Sequence, residues 1–334
     1  MGLTVDILPG QEISPEKWDA FIRQSHQGGV YLLHGYLSAV AQDWEAYVVR
    51  DNGTWLAVMP VKLSRKFGFT AFLTQPFSQY WGICFHPTVD QSTYSSLSQK
   101  RKSVIALLEK LPKIHLYIQQ FSPQFDYPLP FHWENYELTT RYTYQLSLKG
   151  YEIDREKESF GKLWEGFASP LKRQINKAEK HGVFVERTSD YSPFQQLSKA
   201  QLSSGHDISG GNPASLSILE NISSYLLDSG NGFLLVAKDQ EGNPLASAIF
   251  GLFEKQLIYL AGVYAGDQAS SGAMSLLMWR GIQTGMQNGA NIMDFEGSMI
   301  AGIETFFRKF GAYPVPYLQI RKNRLPLILR WLKT

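Results

Sequence analysis

The chain has 334 residues, of which 44% are hydrophobic, so it can bury a core without disulfides or structural metal and is long enough for one large domain or two ordinary ones. Its 32 Lys and Arg exceed its 30 Asp and Glu by only two, which excludes a purely electrostatic DNA-binding protein and leaves any grip on nucleic acid or membrane to local patches. The single cysteine, Cys84, cannot close an internal disulfide and reads as a buried strand residue in the apolar run YWGICF.

No uncharged run reaches the roughly 18–20 residues that span a bilayer. The start MGLTVDILPGQE has neither the basic region nor the apolar run of a signal peptide, which predicts a cytoplasmic protein. Ser14 and Pro15 open a helix whose Trp18, Phe21 and Ile22 share a face. WEAYVVRD and TWLAVMPVKLSR then alternate around Asp51-Asn52-Gly53, a strong hairpin signal. FTAFLT, a Gln-Pro-Phe loop, WGICF, a helix over about 93–111 and the strand HLYIQQF at 115–121 follow, and YTYQLSL closes this half.

The same order returns after a polar boundary near 148–155. A helix is predicted over 159–181, then the loop SSGHDISGGNPAS and a hairpin turning at Glu241-Gly242-Asn243. QLIYLAGVYA, a helix over 272–288 and NIMDFEG complete the set. In that last helix Met274, Leu277, Met278, Gly281, Ile282 and Gly285 form one stripe, and Gly289 is its expected C′ residue. The repeated order predicts two variants of one mixed α/β unit, residues 1–150 and 151–334, with a groove lined by the helix at 172–180. The terminal RLPLILRWLKT is basic and apolar, which suits either a helix docked on the core or a weak contact with a membrane surface.

Several side chains carry candidate chemistry. In SPLKRQINKAEKHGV, Lys172, Asn176 and Lys180 share one helical face and Arg173 and Lys177 another, with Ile175 and Ala178 on the buried side. Such faces can grip a diphosphate, although a solvated surface helix has the same spacing. Lys309, in FFRKFG, could stabilise the oxyanion that forms when an amine attacks an ester or thioester, or be an ordinary surface lysine. Asp294 could orient or deprotonate that amine, or cap the turn at Gly297. Glu296 shares its face only if the strand continues that far. The seven histidines show no metal-ligand spacing, which predicts no metal site, and no serine-hydrolase elbow or Walker loop occurs.

Each half resembles the GNAT N-acetyltransferase fold, in which a strand-loop-helix crossover cradles a coenzyme A pyrophosphate on backbone N–H groups. In the corresponding loop, GDQASSGAM, Gln268, Ser271 and Ala273 stand at the three positions of the Gln/Arg-x-x-Gly-x-Gly/Ala pattern; Ser replaces the central glycine, and Gly272 falls one place late. Asp267 would repel a diphosphate, and a Ser-capped helix start is the alternative for this loop. The tandem arrangement is similar to the FemAB-like group, the peptidoglycan interpeptide-bridge aminoacyltransferases and their BioF2-like relatives. The likeness rests on Arg173, Ile175, Lys177, Ala178, Lys180, Gly182 and Val183, and on Trp279, Gly289, Asp294, Phe295, Gly297, Phe307, Lys309, Phe310 and Gly311. The resemblance implies an acyl- or aminoacyltransferase that takes acyl-CoA or aminoacyl-tRNA as co-substrate, with no tightly bound cofactor and an anionic or nucleotide-linked substrate in cell-envelope metabolism. It places His206 in an acceptor-side loop. Glu296 stands where a small residue is common, and no long helical tRNA arm is present. A catalytically degenerate ligand-binding protein is the alternative.

Overall fold

The Asp51-Asn52-Gly53 turn shows how local chemistry places the first elements. Asn52 and Gly53 both take positive φ, 49° and 83°, the pair that a two-residue hairpin turn favours. The structure, a computed structural model, describes residues 3–151, 161–203, 214–265, 272–297 and 301–330. Its chain divides into two compact units, Met1–Arg141 with Pro316–Thr334, and Tyr142–Val315.

The first unit begins with β1 (Thr4–Pro9), which the sequence reading passed over, and α1 (Pro15–Gln24), whose Ser14 accepts from the Lys17 N–H at 3.2 Å. Next come α2 (His34–Val40), β2 (Glu45–Asp51), β3 (Thr54–Val61), β4 (Leu63–Lys66), β5 (Phe69–Leu73) and β6 (Cys84–Phe85). α3 (Tyr94–Lys110), β7 (Leu116–Gln120) and α4 (Leu129–Trp133) follow, and β8 (Glu137–Ser147) carries the chain into the second unit. That unit holds α5 (Gly161–Glu165), α6 (Ser169–Lys180), β9 (Phe184–Thr188), α7 (Ser192–Ser203), α8 (Ala214–Asp228), β10 (Gly232–Lys238), β11 (Pro244–Phe253) and β12 (Gln256–Tyr264). It continues with α9 (Ala273–Gln287), β13 (Ile292–Asp294) and α10 (Ala301–Arg308). β14 (Tyr313–Asn323) leads back to the first unit and to α11 (Leu327–Arg330), which leaves Leu327 and Ile328 exposed rather than docked.

In the first unit the strand orders are β1-β2-β3-β6 and β4-β5-β7-β14, and in the second β8-β13-β12-β11-β10-β9. Each unit contains one parallel pair whose strands have a long helix between them in the chain: β5 and β7 flank α3, and β12 and β13 flank α9. The repeat legible in the sequence is therefore a repeat of crossovers, and the fold is a mixed α/β tandem. α9 lies close on its sheet, because a Cβ at Gly281 would come within 2.3 Å of the Phe250 ring and one at Gly285 within 2.5 Å of Leu257. Gly289, at φ +87°, ends the helix as a left-handed C′ residue.

The single helix expected over 159–181 is broken in two among its described residues. Ala168 is extended (φ −61°, ψ 140°) and Pro170 lies in the first turn of α6, because proline has no N–H for a continuing helix and disfavours helical geometry in the residue before it. This break positions the candidate site described below.

The first unit is pinned by a buried ion pair. Lys100 of α3, 1% exposed, donates to Asp90 at 2.5 Å and to Asp126 at 2.8 Å, while Gln27 donates to the other Asp90 oxygen at 2.8 Å. Burial alone would raise the Asp90 carboxyl, but the bonds from Lys100 and Gln27 outweigh it and hold the pKa below its usual value. Burial opposes the Lys100 charge too, yet its two carboxylate partners raise its pKa. A depressed acid stabilises the fold above its unfolded pKa and a raised base below its own, so the pair contributes fully between about pH 4 and pH 10. Lys100→Met should cost about 3–5 kcal/mol by urea unfolding at pH 7, since it strands a buried carboxylate. The loss should shrink as the pH falls through the depressed Asp90 pKa; a loss independent of pH would assign the effect to packing.

Candidate active site

Segments more than 130 residues apart in sequence meet at one backbone hydrogen bond in the second unit, from the Ala168 N–H to the Lys309 carbonyl at 2.9 Å. The helix break frees the donor, and the turn after α10 presents the acceptor: Lys309, Phe310 and Gly311 donate back to Phe306, Phe307 and Arg308. Around the joint stands an aromatic cluster. Phe167 packs on Phe310 (centroids 5.3 Å apart) and on Trp279 (5.1 Å), and Phe295 packs on Phe307 (4.9 Å) and Phe310 (5.4 Å). Aromatic pairs of this kind add about 0.5–1.5 kcal/mol each beyond their buried area. The Trp and Phe positions on which the family likeness rests, Trp279, Phe295, Phe307 and Phe310, are thus the packing frame. Lys309 is partly buried, with both of its backbone polar groups bonded.

α6 turns Leu171, Ile175 and Ala178 into the core and leaves Arg173, Asn176, Lys177 and Lys180 exposed. Lys172 is half-buried, and its ammonium donates to the Glu165 carbonyl at 2.8 Å. The start of α9 abuts the middle of this basic helix. Gly272 takes φ +77°, and a Cβ there would lie 2.2 Å from the Gln174 carbonyl oxygen, so only glycine permits the approach. Ser275 Oγ, one turn on, donates to Gln174 Oε1 at 3.2 Å. Among the described residues no side chain caps the α9 N-terminus. The positive dipole end of α9, where Gly272 and Ala273 stand, favours an anion. Gln268, Ser271 and His206 lie outside the described residues.

Asp294 closes β13 as a buried hub, 3% exposed. Oδ1 accepts from the Thr143 hydroxyl at 2.5 Å and the Glu296 N–H at 2.9 Å, and Oδ2 from Gln145 at 2.9 Å and Gln256 at 3.4 Å. Burial raises its pKa, against the lowering effect of the Thr143, Gln145 and Glu296 bonds. The strand does not continue to Glu296. The Phe295 N–H donates to the Tyr144 carbonyl, one register step past the Asp294–Gln145 pair, and the ladder ends there because Glu296 takes φ +59°, a conformation that costs a non-glycine residue about 1–2 kcal/mol. Glu296 therefore does not share a strand face with Asp294; it stands partly exposed at the strand end, and Gly297 beside it is exposed.

Three features of this region lie beyond the residues singled out from the sequence. β12 and β13 pair only from Gln256–Ile258 to Ile292–Asp294, after which β12 runs on, with a register shift that leaves Leu260 as an extra residue against β11. A bulge of this kind takes one residue out of the ladder beside a strand opening. The Tyr259 hydroxyl lies 2.1 Å from where a Cβ on Gly262 would stand, and burial together with the nearby Glu296 carboxylate pushes its phenol pKa up. Thr143 and Gln145, the partners of Asp294, were also missed, though two polar residues alternating inside the apolar YTYQL were a readable sign of a buried polar face. Among the described residues no group of three or more His, Cys, Asp or Glu could hold a metal ion.

Residues 167–308 match the model of the acetyltransferase (GNAT) domain family. In fold the chain is similar to FemX, with a TM-score of 0.65 at 14% identity over 95% of this chain and 97% of that one. It is similar to L-PGS from Bacillus licheniformis, with 0.58 at 14% over 96% and 95%, and to a tandem GNAT protein from the clavulanic acid biosynthesis pathway, with 0.57 at 9% over 97% and 99%. No curated relative matches the chain by sequence. At such identities the likeness is one of fold, a pair of tandem GNAT-like units.

The saturation of Asp294 by four donors yields a test. Asp294→Asn places an amide donor among them and should lower stability by about 1–3 kcal/mol in thermal or urea unfolding. An unchanged melting temperature would contradict the hub role and return Asp294 to the candidates for proton transfer.

Proposed function

We propose that this chain, whose residues 167–308 match the acetyltransferase (GNAT) domain family and whose fold is similar to FemX, is a FemAB-like acyltransferase whose second unit joins an activated acyl or aminoacyl group to an amine. A phosphate-bearing donor, acyl-CoA or aminoacyl-tRNA, supplies the thioester or ester. Arg173, Lys177 and Lys180 on α6, with Lys172 and Asn176 beside them, face its phosphates, and the α9 start at Gly272 and Ala273 turns its positive dipole end to the same charge. Glu296 accepts a hydrogen bond from the acceptor amine, which reacts as the neutral free base. The amine nitrogen attacks the carbonyl carbon, and the carbonyl oxygen takes the developing negative charge, which Lys309 stabilises. Collapse breaks the bond to sulfur or oxygen, and the leaving group takes up the proton that the amine loses. Asp294 acts as a positioning residue, holding the turn that carries Glu296. Most of the rate comes from alignment and charge stabilisation.

The observation that carries this reading is the Ala168–Lys309 hydrogen bond, which brings the basic helix and the anchored lysine into one unit. We place the reaction in the cytoplasm, on an amine-bearing envelope precursor. No helix among the described residues is long and apolar enough to cross a membrane. The exposed Leu327 and Ile328 suit a weak surface contact.

The test is a transfer assay on acyl-CoA and aminoacyl-tRNA donors, read by mass spectrometry of the acceptor. Lys309→Met should lower kcat by about 10² to 10³ with little change in KM. Arg173→Ala and Lys177→Ala should raise the donor KM in a salt-dependent way and leave the melting temperature nearly unchanged, because both residues are exposed. Donor binding without transfer would identify the degenerate, ligand-binding alternative, and equal loss of binding and turnover in Lys309→Met would make it a substrate-gripping residue.

A further inference from the structure

The first unit contains a cavity of about 270 Å³ between the C-terminal part of α3, the turn that follows it, and the sheet face of β7 and β14. One wall is apolar, built from Ile105, Leu108 and Ile114. The opposite wall is cationic. Lys322 on β14 is the register partner of Tyr117 on β7, so the two side chains rise from the same face of the sheet. Arg324 lines the same wall, its backbone N–H fixed to the His115 carbonyl at 2.7 Å. Lys113 stands at the turn. The Lys322 ammonium is held over the Tyr136 ring, 4.4 Å from its centroid, and donates to the Glu134 carbonyl.

Two details point to a ligand. Tyr117 is 1% exposed and its hydroxyl has no hydrogen-bond partner among the described residues, an arrangement that is unfavourable if nothing fills it. Burial also pushes that phenol well above its ordinary pKa, so it stays a neutral donor. The second detail is the charge balance. Lys113, Lys322 and Arg324 face two carboxylates, Glu109 and Glu134, yet none of the three cations forms an ion pair among the described residues. Burial and then the nearby Arg324 lower the Lys322 pKa, and Glu134 offsets this only in part. A cation held at a partly buried wall beside a second cation is stabilised by an incoming anion.

We propose that this cavity binds a small amphiphilic carboxylate. Its apolar body lies against Ile105, Leu108 and Ile114, and its carboxylate accepts from Lys322 and Arg324 and reaches toward the Tyr117 hydroxyl. The site belongs to the first unit and is independent of the transfer reaction assigned to the second, so it can be tested whether or not that reaction is found.

The probe is hexanoate, titrated into the full chain by calorimetry, with hexanol and inorganic phosphate as controls. Saturable hexanoate binding is expected, with hexanol and phosphate each at least tenfold weaker. Lys322→Met should weaken hexanoate by about tenfold or more, the scale of a lost charge-assisted hydrogen bond. Arg324→Gln, a change at an exposed side chain that the fold should tolerate, should weaken it in the same direction. Tyr117→Phe is the sharpest variant. It removes an unpartnered buried hydroxyl, so the unliganded melting temperature should hold or rise while hexanoate affinity falls several-fold. Failure of hexanoate to bind, binding unaffected by Lys322→Met and Tyr117→Phe, or phosphate binding as well as hexanoate would each overturn the proposal.

Discussion

The second unit depends on the hydrogen bond between the Ala168 N–H and the Lys309 carbonyl. A single such bond contributes only about 0.5–1.5 kcal/mol net, but here it joins two orphan groups that would otherwise be left near the core. Pro170 and the extended Ala168 stop the preceding helix and release the donor; the end of α10 releases the acceptor. Phe167 and Phe310 close over the joint, and Trp279 and Phe295 extend the packing to α9 and β13. Four elements are thereby fixed to one another around one point. Breaking the aromatic packing would move every charged candidate together, not one at a time.

The charged groups divide into those the fold holds rigidly and those it leaves to solvent. Asp294 is locked by Thr143, Gln145, Gln256 and the Glu296 N–H, and in turn fixes the left-handed turn that carries Glu296. Arg173 and Lys180 are exposed on α6, so their attraction for an anion is screened by salt and contributes little to stability. This separation fits a site in which alignment comes from buried polar contacts and affinity from surface charge. Glu296 takes positive φ, as do five other non-glycine residues among those described, so the turn that carries it is stiff.

Much of this architecture could be read from side-chain pattern. The hairpin at Asn52-Gly53, the α9 stripe, the Gly289 stop and the repeated order all rest on local rules that tertiary packing does not override, and each half keeps its parallel crossover. The basic face of α6 was legible for the same reason, as spacing on a helix. What sequence could not reveal was register and close approach. The Leu260 bulge depends on which residues of β11 and β12 pair, and the role of Gly272 depends on where the Gln174 carbonyl lies, 98 residues earlier in the chain. The break within the predicted helix at 159–181 was legible in principle from Pro170, but the amphipathic pattern on both sides of it read as continuous. Asp294 carried two readings because a carboxylate at a strand end looks the same whether it is saturated or free; only its four donors separate them.

The central claim is that α6, the start of α9 and the turn at Lys309 form one donor-binding surface. Hydrogen–deuterium exchange across the full chain, with and without a non-transferable acyl-CoA analogue or a stable aminoacyl-tRNA mimic, tests it most directly. The account predicts that one of these donors slows exchange together in residues 168–180, in the first turn of α9 and in the turn at 309–311, leaving the first unit unchanged. Protection absent from all three segments at saturating donor, or confined to the first unit, would contradict it.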